Sequence, residues 1–513
     1  MVAEPSEQCE ISFDKLKRDF HVMVIFGGAG DLSKRKLLPA LYHIFKENEL
    51  ESGICIIAFG LTDRCDKTYR EFVKKSIMAF SSDDLDTKTW KEFSKCLFYI
   101  TGDFKEDDKY EILHQKIIEF LKKSPNKASN GIIYYLAVPP QFSPGIIKKL
   151  KKHRLDKITS VGKMYTKVVI EKPFGRDRAS AEKLNRTITG VFKENQIYRI
   201  DHYLGKETVQ NIIFFRFSNS IFEPIWNYRY IDNVQITVAE ELGIEYRGKF
   251  YEKAGVIRDI IQNHMMQLIA LIAMEPPVGI DADYIRDEKI KIYKSIQKMD
   301  ARYLDKNVVI GQYDSGKIAG KKVLSYREEK DVAVDSSIPT FVAMKLHIDS
   351  WRWSGVPFYI RSGKRMTKKI TEICIQFKQP PLRMFKDVCD FFEQNLLILT
   401  IEPKEKIAIR FGVKVPHTYK HTYPVSMDFI YDDVFKDRIH SPYERLLLDC
   451  LDGDLTLFSR QDGVEAMWDV IDPVIARIEK NPQKNFPNYK AGTWGPEEAD
   501  VLLKKDNRSW FTE

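Results

Sequence analysis

No stretch of this 513-residue chain approaches the roughly 20 consecutive apolar residues that a membrane-spanning helix needs. The opening segment MVAEPSEQCEISFDKLKRDF has no apolar signal core, so neither a secreted nor a membrane protein is expected, and the cytoplasm is. Cysteine is sparse. The seven are Cys9, Cys55, Cys65, Cys96, Cys374, Cys389 and Cys450, odd in number and without a CxxC pair. A disulfide framework and a zinc site are thereby excluded from the expectations, and no metal is expected. A strong excess of one charge is missing too. The 81 basic and 73 acidic side chains leave a net +8, too mild for a dedicated nucleic-acid binder yet compatible with small phosphorylated ligands. There is no internal repeat, low-complexity tract or Gly/Ser linker. What remains, 43% hydrophobic and 30% charged residues, is an ordinary globular composition, and the length is too great for one core. Two large domains are expected.

The first third alternates strand-like and helix-like segments. HVMVIFGG (21–28), ICIIAFG (54–60), GIIYYLAVP (131–139) and YTKVVIEKP (165–173) read as strands, and LPALYHIFKENEL (38–50) spaces its apolar residues as a helix does. This alternation predicts a Rossmann-like, doubly wound parallel sheet over residues 1–200. After about residue 200 the rhythm changes. NVQITVAE (233–240), TFVAMKLHIDSW (340–351), VPFYIRSG (356–363), EICIQFK (372–378) and NLLILTIEP (395–403) outnumber the helical segments, and several alternate polar and apolar residues. Residues 201–513 are therefore expected to form an α+β domain with a large, mainly antiparallel sheet.

GGAGDLSKRK (27–36) follows the first strand and runs into a helix. Glycines let a backbone approach a pyrophosphate, and the free amides of the helix start bind it. Read as GxGxxG, the positions are Gly28, Gly30 and Ser33, so the third glycine is missing. Such a loop also serves any tight strand-to-helix turn. Its place after the first strand of an α/β pattern favours a dinucleotide. At the end of the second strand an acid selects NAD and an arginine NADP. Here Asp63 and Arg64 stand together and pull in opposite directions.

Four further segments carry unusual chemistry. VVIEKPFGRD (168–177) sets Lys172 at the carboxyl edge of the sheet, in a turn stiffened by Pro173. In RIDHYLGKE (199–207) a helix starting near Tyr203 would cluster His202, Tyr203 and Lys206 at its N-terminal turn, a seat for a phosphate. AGVIRDIIQNHMMQLIALIAM (254–274) reads as one apolar helix with Arg258, Asp259, Gln262, Asn263 and His264 near its start. Polar groups there are costly unless they face a site or find partners. In an α-helix Asp259 and His264, five apart, would project roughly 140° from each other. PFYIRSGKRMTKK (357–369) gathers Arg361, Lys364, Arg365, Lys368 and Lys369 behind a strand and a Ser-Gly turn. Taken singly, each segment has an ordinary reading: a surface lysine, a capped helix, a core histidine, a solvated charge cluster.

Together these segments resemble the glucose-6-phosphate dehydrogenase family, over nearly the whole chain. The carriers are GGAGDLSKRK, YYLAVPP (134–140), VIEKPFGRD, RIDHYLGKE, GVIRDIIQNHMMQ (255–267), RSGKR (361–365), YERLLLDCLDGD (443–454) and TWGP (493–496). The resemblance implies oxidation of C1 of glucose 6-phosphate to 6-phosphoglucono-δ-lactone with hydride transfer to NADP+, the opening of the oxidative pentose phosphate pathway. It implies His264 as general base and Asp201 as the carboxylate that holds it. His202, Tyr203 and Lys206 match phosphate-binding residues, and Lys172, Glu240, Asp259, Lys364 and Lys369 match sugar-binding residues. Gly27, Gly28, Ala29, Gly30, Asp31, Leu32, Ser33, Lys34, Tyr135 and Lys172 match dinucleotide contacts. Where the family usually has an arginine, this chain has Asp63, with Arg64 one step later. NADP+ is expected through Arg64, with NAD+ as the alternative. A second, structural NADP is expected to be absent. A homodimer or homotetramer is implied, with no nucleic-acid or membrane partner. The competing readings are another two-domain NAD(P)-dependent sugar oxidoreductase and a catalytically silent relative.

Overall fold

A computed structural model describes residues 18–50, 53–81, 84–124, 129–158, 163–382, 394–418, 422–435 and 440–512. Cys9, Cys389 and residues 1–17 of the opening segment lie outside them. The chain divides into two units. The first comprises Met1–Lys172, Arg186–Ile200 and Tyr443–Leu455; the second comprises Pro173–Asn185, Asp201–Pro442 and Thr456–Glu513.

In the first unit six strands run parallel: β1 (Phe20–Phe26), β2 (Ile54–Gly60), β3 (Leu97–Thr101), β4 (Ser129–Leu136), β5 (Lys163–Glu171) and β6 (Ile197–Ile200). They pair in the order β6-β5-β4-β1-β2-β3. Helices α1 (Leu38–Lys46), α2 (Asp66–Phe80), α3 (Thr87–Phe93), α4 (Asp107–Lys122) and α5 (Ser143–Lys152) fill the crossovers. This is the expected doubly wound order, and it reverses between β1 and β4. A parallel strand is buried on both faces, so its sequence is a continuous apolar run. Val22, Met23, Val24, Ile25 and Phe26 of β1 are all fully buried. Each such side chain contributes roughly 1.5–3 kcal/mol.

The second unit holds β7 (Ile231–Ala239), β8 (Val308–Gly311), the short β9 (Tyr313–Asp314), β10 (Gly316–Ile318) and β11 (Lys321–Val323), then β12 (Phe341–Leu346), β13 (Phe358–Gly363), β14 (Ile370–Phe377), β15 (Leu396–Glu402), β16 (Lys406–Lys414) and β17 (Thr422–Ile430). Eight of them form one sheet in the order β17-β16-β15-β14-β7-β13-β12-β8. Its pairings are antiparallel except β7 with β13. The large, mainly antiparallel sheet is as expected. The strand expected over 340–351 is shorter, because the chain turns at Ser350–Trp353 and commits the Trp353 indole to a helix end.

The expected single helix over 254–274 is three pieces. A helix over Gly248–Val256 ends where Gly255 takes φ 60°, which L side chains adopt at a cost. Ile257–Met265 is then π-helical, and an α-helix follows over Met266–Ala273. Among the described residues no helix is long and apolar enough to cross a membrane.

Candidate active site

The site in the second unit is anchored from the far end of its helix. The last carbonyls of Met266–Ala273 have no intrahelical donors. Three buried side chains supply them. Arg216 donates to Leu271 O at 2.8 Å and Met274 O at 2.9 Å, Trp226 to Ile272 O at 2.8 Å, and Trp353 to Ala273 O at 2.8 Å. Burial pulls the Arg216 guanidinium down to about 9 against the pull of Glu223.

The π-helical stretch upstream changes the geometry expected for its polar groups. Bonding from i to i+5 stacks residues five apart on one face. Asp259 and His264 therefore share a face rather than diverging by the α-helical angle, and neither is driven into the apolar side, where it would be costly. Both are buried, as are Gln262 and Asn263.

His264 Nδ1 meets Asp201 Oδ1 at 2.5 Å, with the side chains only 1% and 2% exposed. A carboxylate accepts only, so Nδ1 carries the proton and Nε2 is left as the acceptor. The Tyr203 ring stacks on the imidazole at 4.0 Å and 17°, and His202 meets it edge-on at 4.7 Å. The ligand atoms of Asp201, His202 and His264 lie within 4.8 Å of one another, a spacing a metal ion could also use. Burial pushes the Tyr203 phenol well up; its hydroxyl lies 3.4 Å from Thr371 Oγ1.

The helix expected to start near Tyr203 begins at Glu207. Asp201 accepts the Tyr203 amide at 3.1 Å, and successive turns carry the chain through Leu204, Gly205 and Lys206. Such a local carboxylate bond competes with helix. The helix-start amide of Thr208 is taken by Glu405 Oε2 at 2.9 Å. Side chains, not an open helix N-terminus, therefore make the charged cluster here. Lys206 Nζ lies 4.5 Å from the Tyr203 ring centre and donates to Glu402 Oε1; Lys369 Nζ reaches Glu402 Oε2 at 3.2 Å. Burial pulls Lys206 down, and Glu402 opposes it.

A second cluster surrounds Lys364, at the end of β13. Its Nζ bonds Glu240 Oε2 at 2.5 Å and stands 4.0 Å from Asp259 Oδ2. Parallel register aligns Gly363 of β13 with Ala239 of β7, which sets the following Lys364 and Glu240 beside each other. The structure thus gathers Asp201, His202, Tyr203 and His264 in one cluster, Lys206 and Lys369 in a second, and Glu240, Asp259 and Lys364 in a third.

In the first unit, Gly27 takes φ +83°, and an added Cβ would lie 2.3 Å from Ala137 O, beyond β4. The loops after β1 and β4 thus touch where the strand order reverses, the usual place for a dinucleotide. Gly30 N bonds Gly27 O at 2.8 Å, and Lys34 N bonds Gly30 O at 2.9 Å. Ser33, in the third glycine's place, is buried and donates its hydroxyl to Gly27 O at 2.9 Å. Ala29 and Leu32 are half-buried in the same loop and Asp31 is exposed, paired with Arg35 at 2.7 Å. Arg64 is half-buried with its guanidinium 4.7 Å from the Phe72 ring, and its Nε is buried without an acceptor among the described residues. Asp63 is exposed. Tyr135 donates to Glu171 Oε1 at 2.6 Å, and Lys172 follows directly after β5. A tight glycine turn and a helix start suit a dinucleotide's pyrophosphate, with the Arg64 guanidinium at the end of the second strand as a further cation.

Sequence reasoning missed Glu402 and Glu405. They flank Pro403 and Lys404 just past β15, and a charged strand end carries no signal of its own.

The model for "Glucose-6-phosphate dehydrogenase, NAD binding domain" matches residues 24–211, and that for the same family's C-terminal domain matches residues 213–511. The chain is similar to glucose-6-phosphate 1-dehydrogenase of Chlamydia pneumoniae, 46% identical over 493 residues and covering 95% of each chain. It is 39% identical to that of Bacillus subtilis, covering 96% of this chain and 98% of the other. A solved glucose-6-phosphate dehydrogenase in complex with its substrate glucose-6-phosphate matches with a TM-score of 0.88 at 32% identity, covering 97% of this chain and 99% of that one. The glucose-6-phosphate 1-dehydrogenase of Mycobacterium avium matches with a TM-score of 0.80 at 32% identity, covering 96% and 99%. The chain therefore belongs to the glucose-6-phosphate dehydrogenase family.

Proposed function

We propose that this chain oxidises C1 of glucose 6-phosphate to 6-phosphoglucono-δ-lactone, with His264 as the base and NADP+ as the hydride acceptor. The observation that carries this reading is the buried Asp201–His264 bond. Loss of hydride from C1 becomes easier as its hydroxyl loses a proton, and Nε2 of His264 takes that proton. Asp201 holds the tautomer and stabilises the imidazolium that forms. The Tyr203 ring, stacked at 4.0 Å, fixes the plane of the imidazole and favours its cationic form.

His202, Tyr203 and Lys206 hold the 6-phosphate, and Lys369, expected among the sugar ligands, is assigned to the phosphate as well because it shares Glu402 with Lys206; Glu240, Asp259 and Lys364 hold sugar hydroxyls. Anchoring both ends of the sugar fixes C1 before reaction, which supplies part of the barrier reduction. Gly27 to Lys34, Tyr135 and Lys172 hold the dinucleotide, and Arg64 its 2′-phosphate. The dinucleotide, when bound, supplies the hydride acceptor. Self-association through the large sheet belongs to the same reading, supported by the exposed Tyr423 and Met427 of β17.

The test compares glucose 6-phosphate with glucose at saturating NADP+. A preference in kcat/KM on the order of 10⁴-fold is expected, since a site built around a charged group rejects a substrate lacking it. Comparable values for the two sugars would remove the phosphate assignment.

A further inference from the structure

The phosphate pocket holds an anion of its own. Glu402 closes β15, where the β14–β15 register sets it opposite Thr371, the residue whose hydroxyl faces Tyr203. One carboxylate oxygen accepts from Lys206, and the other lies 3.2 Å from Lys369. The Lys206 side chain is 8% exposed, so most of its room to turn elsewhere is gone. Burial raises the Glu402 carboxyl, but Lys206 and Lys369 outweigh it and hold the group below its ordinary value, so it stays ionised.

Resting on the reading of Lys206 and Lys369 as phosphate ligands, we propose that Glu402 sets the affinity of the substrate site: it is a built-in competitor that the 6-phosphate must displace from both lysines. Binding is then an exchange of anions. The incoming phosphate takes the two ammonium groups, and the Glu402 side chain, 26% exposed, swings toward solvent. A carboxylate left beside a bound phosphate is a repulsive element, and it weakens every phosphate-bearing ligand of the pocket alike. Two consequences follow. The pocket holds its phosphate less tightly than its cations alone would, which favours release of the equally phosphorylated product. Loose phosphate in solution, which brings no sugar contacts, is discouraged from occupying the pocket.

The test is Glu402→Gln in the full chain, with inorganic phosphate as the probe. The amide keeps the shape, loses the charge and can donate to a phosphate oxygen. KM for glucose 6-phosphate and the competitive inhibition constant of inorganic phosphate are both expected to fall about tenfold, as removing a like charge beside a bound anion predicts. The fall of kcat/KM with ionic strength should also steepen, since the lysines are no longer neutralised. A merely structural role would not move that slope. Glu402→Asp retains the charge and should leave the phosphate inhibition constant near that of the parent, which covers the case where the glutamine variant folds poorly. An unchanged or raised KM in well-folded Glu402→Gln, or equal gains for glucose and glucose 6-phosphate, would overturn the proposal. Lys206→Gln separates the two levels. If it leaves KM for glucose 6-phosphate unaltered, the phosphate-site reading fails; if it raises KM while Glu402→Gln does not lower it, only the competitor role fails.

Discussion

At the scale of single residues, the Asp201–His264 bond sets the protonation pattern of the whole site. Asp201→Asn keeps the shape but can donate as well as accept, so the tautomer with a free Nε2 is no longer enforced. A loss in kcat of roughly 10⁴-fold is expected, by analogy with the triad carboxylate, with little change in KM for the sugar. Steady-state kinetics decide it, and near-normal turnover would remove Asp201 from proton transfer. A second titration lies in the first unit. His21 is fully buried, with Nδ1 2.7 Å from Asp19 O and Nε2 2.8 Å from the Tyr165 hydroxyl. Burial, then the nearby Lys167, pushes it down to about 4. Its folded value lies below the unfolded one near 6.5, so the unfolded state binds the proton first as pH falls. The stability it contributes is complete above about pH 6.5 and lost as pH falls through about 4, amounting to about 3 kcal/mol. Urea midpoints of the parent should fall between about pH 6.5 and about 4, while those of His21→Gln, which cannot take the proton, should lack that fall, so the gap between the two curves changes across that window by about 3 kcal/mol against the parent. The pair proposed for proton transfer was legible only through the resemblance, which matched Asp201 and His264 to the family's carboxylate and base; taken singly, His264 reads as a core histidine. Glu402 was not legible, because its meaning comes from Lys206 and Lys369, which local pattern cannot bring to it.

At the scale of elements, the misread features are backbone choices that side-chain spacing does not encode. The apolar stripe of 254–274 suits an α-helix, yet the chain takes π turns over Ile257–Met265, and i to i+5 bonding brings residues five apart, such as Asp259 and His264, toward one face. The start at Glu207 instead of Tyr203 has a local cause: a carboxylate–amide bond inside RIDHYLGKE competes with the first helical turn. The helix Pro442–Asp452 offers an element-level test. Asp449 is buried near its C-terminal end, where the helix dipole disfavours an anion. Burial pushes its carboxyl up to about 7; Arg445 opposes this, while Asp454 and Asp452 add to it. The folded value exceeds the unfolded one, so the contribution to stability is full below about pH 4 and lost as pH rises through about 7. Asp449→Asn mimics the protonated form and should stabilise the protein at pH 8 by up to about 4 kcal/mol, with almost no effect at pH 4. Thermal melts at the two pH values check the sign.

At the scale of the whole molecule, the switch from alternating strand and helix to a strand-rich second half was legible, because burial on two faces and burial on one leave different periodicities. The return of Tyr443–Leu455 to the first unit was not. It is held there by Lys167, which donates to the carbonyls of Cys450 at 2.5 Å and Leu451 at 3.0 Å, across separations of 283 and 284 residues. Cofactor choice also belongs to this scale, because it depends on where the first unit's sheet presents the end of β2. There the Arg64 backbone is pinned by Thr101, whose hydroxyl accepts from Arg64 N at 3.1 Å and donates to Arg64 O at 3.0 Å. The guanidinium lies over Phe72, so its direction is set before any ligand arrives. Asp63 is exposed beside it and opposes a 2′-phosphate. Arg64→Ala is expected to raise KM for NADP+ roughly 10- to 100-fold, the worth of one charge-assisted hydrogen-bonded contact, while KM for NAD+ changes little. Asp63→Arg should shift the ratio of kcat/KM for the two dinucleotides further toward NADP+. If neither substitution moves that ratio, the end of β2 does not decide the cofactor, and Lys34 of the Gly27–Lys34 loop is the next cation to test.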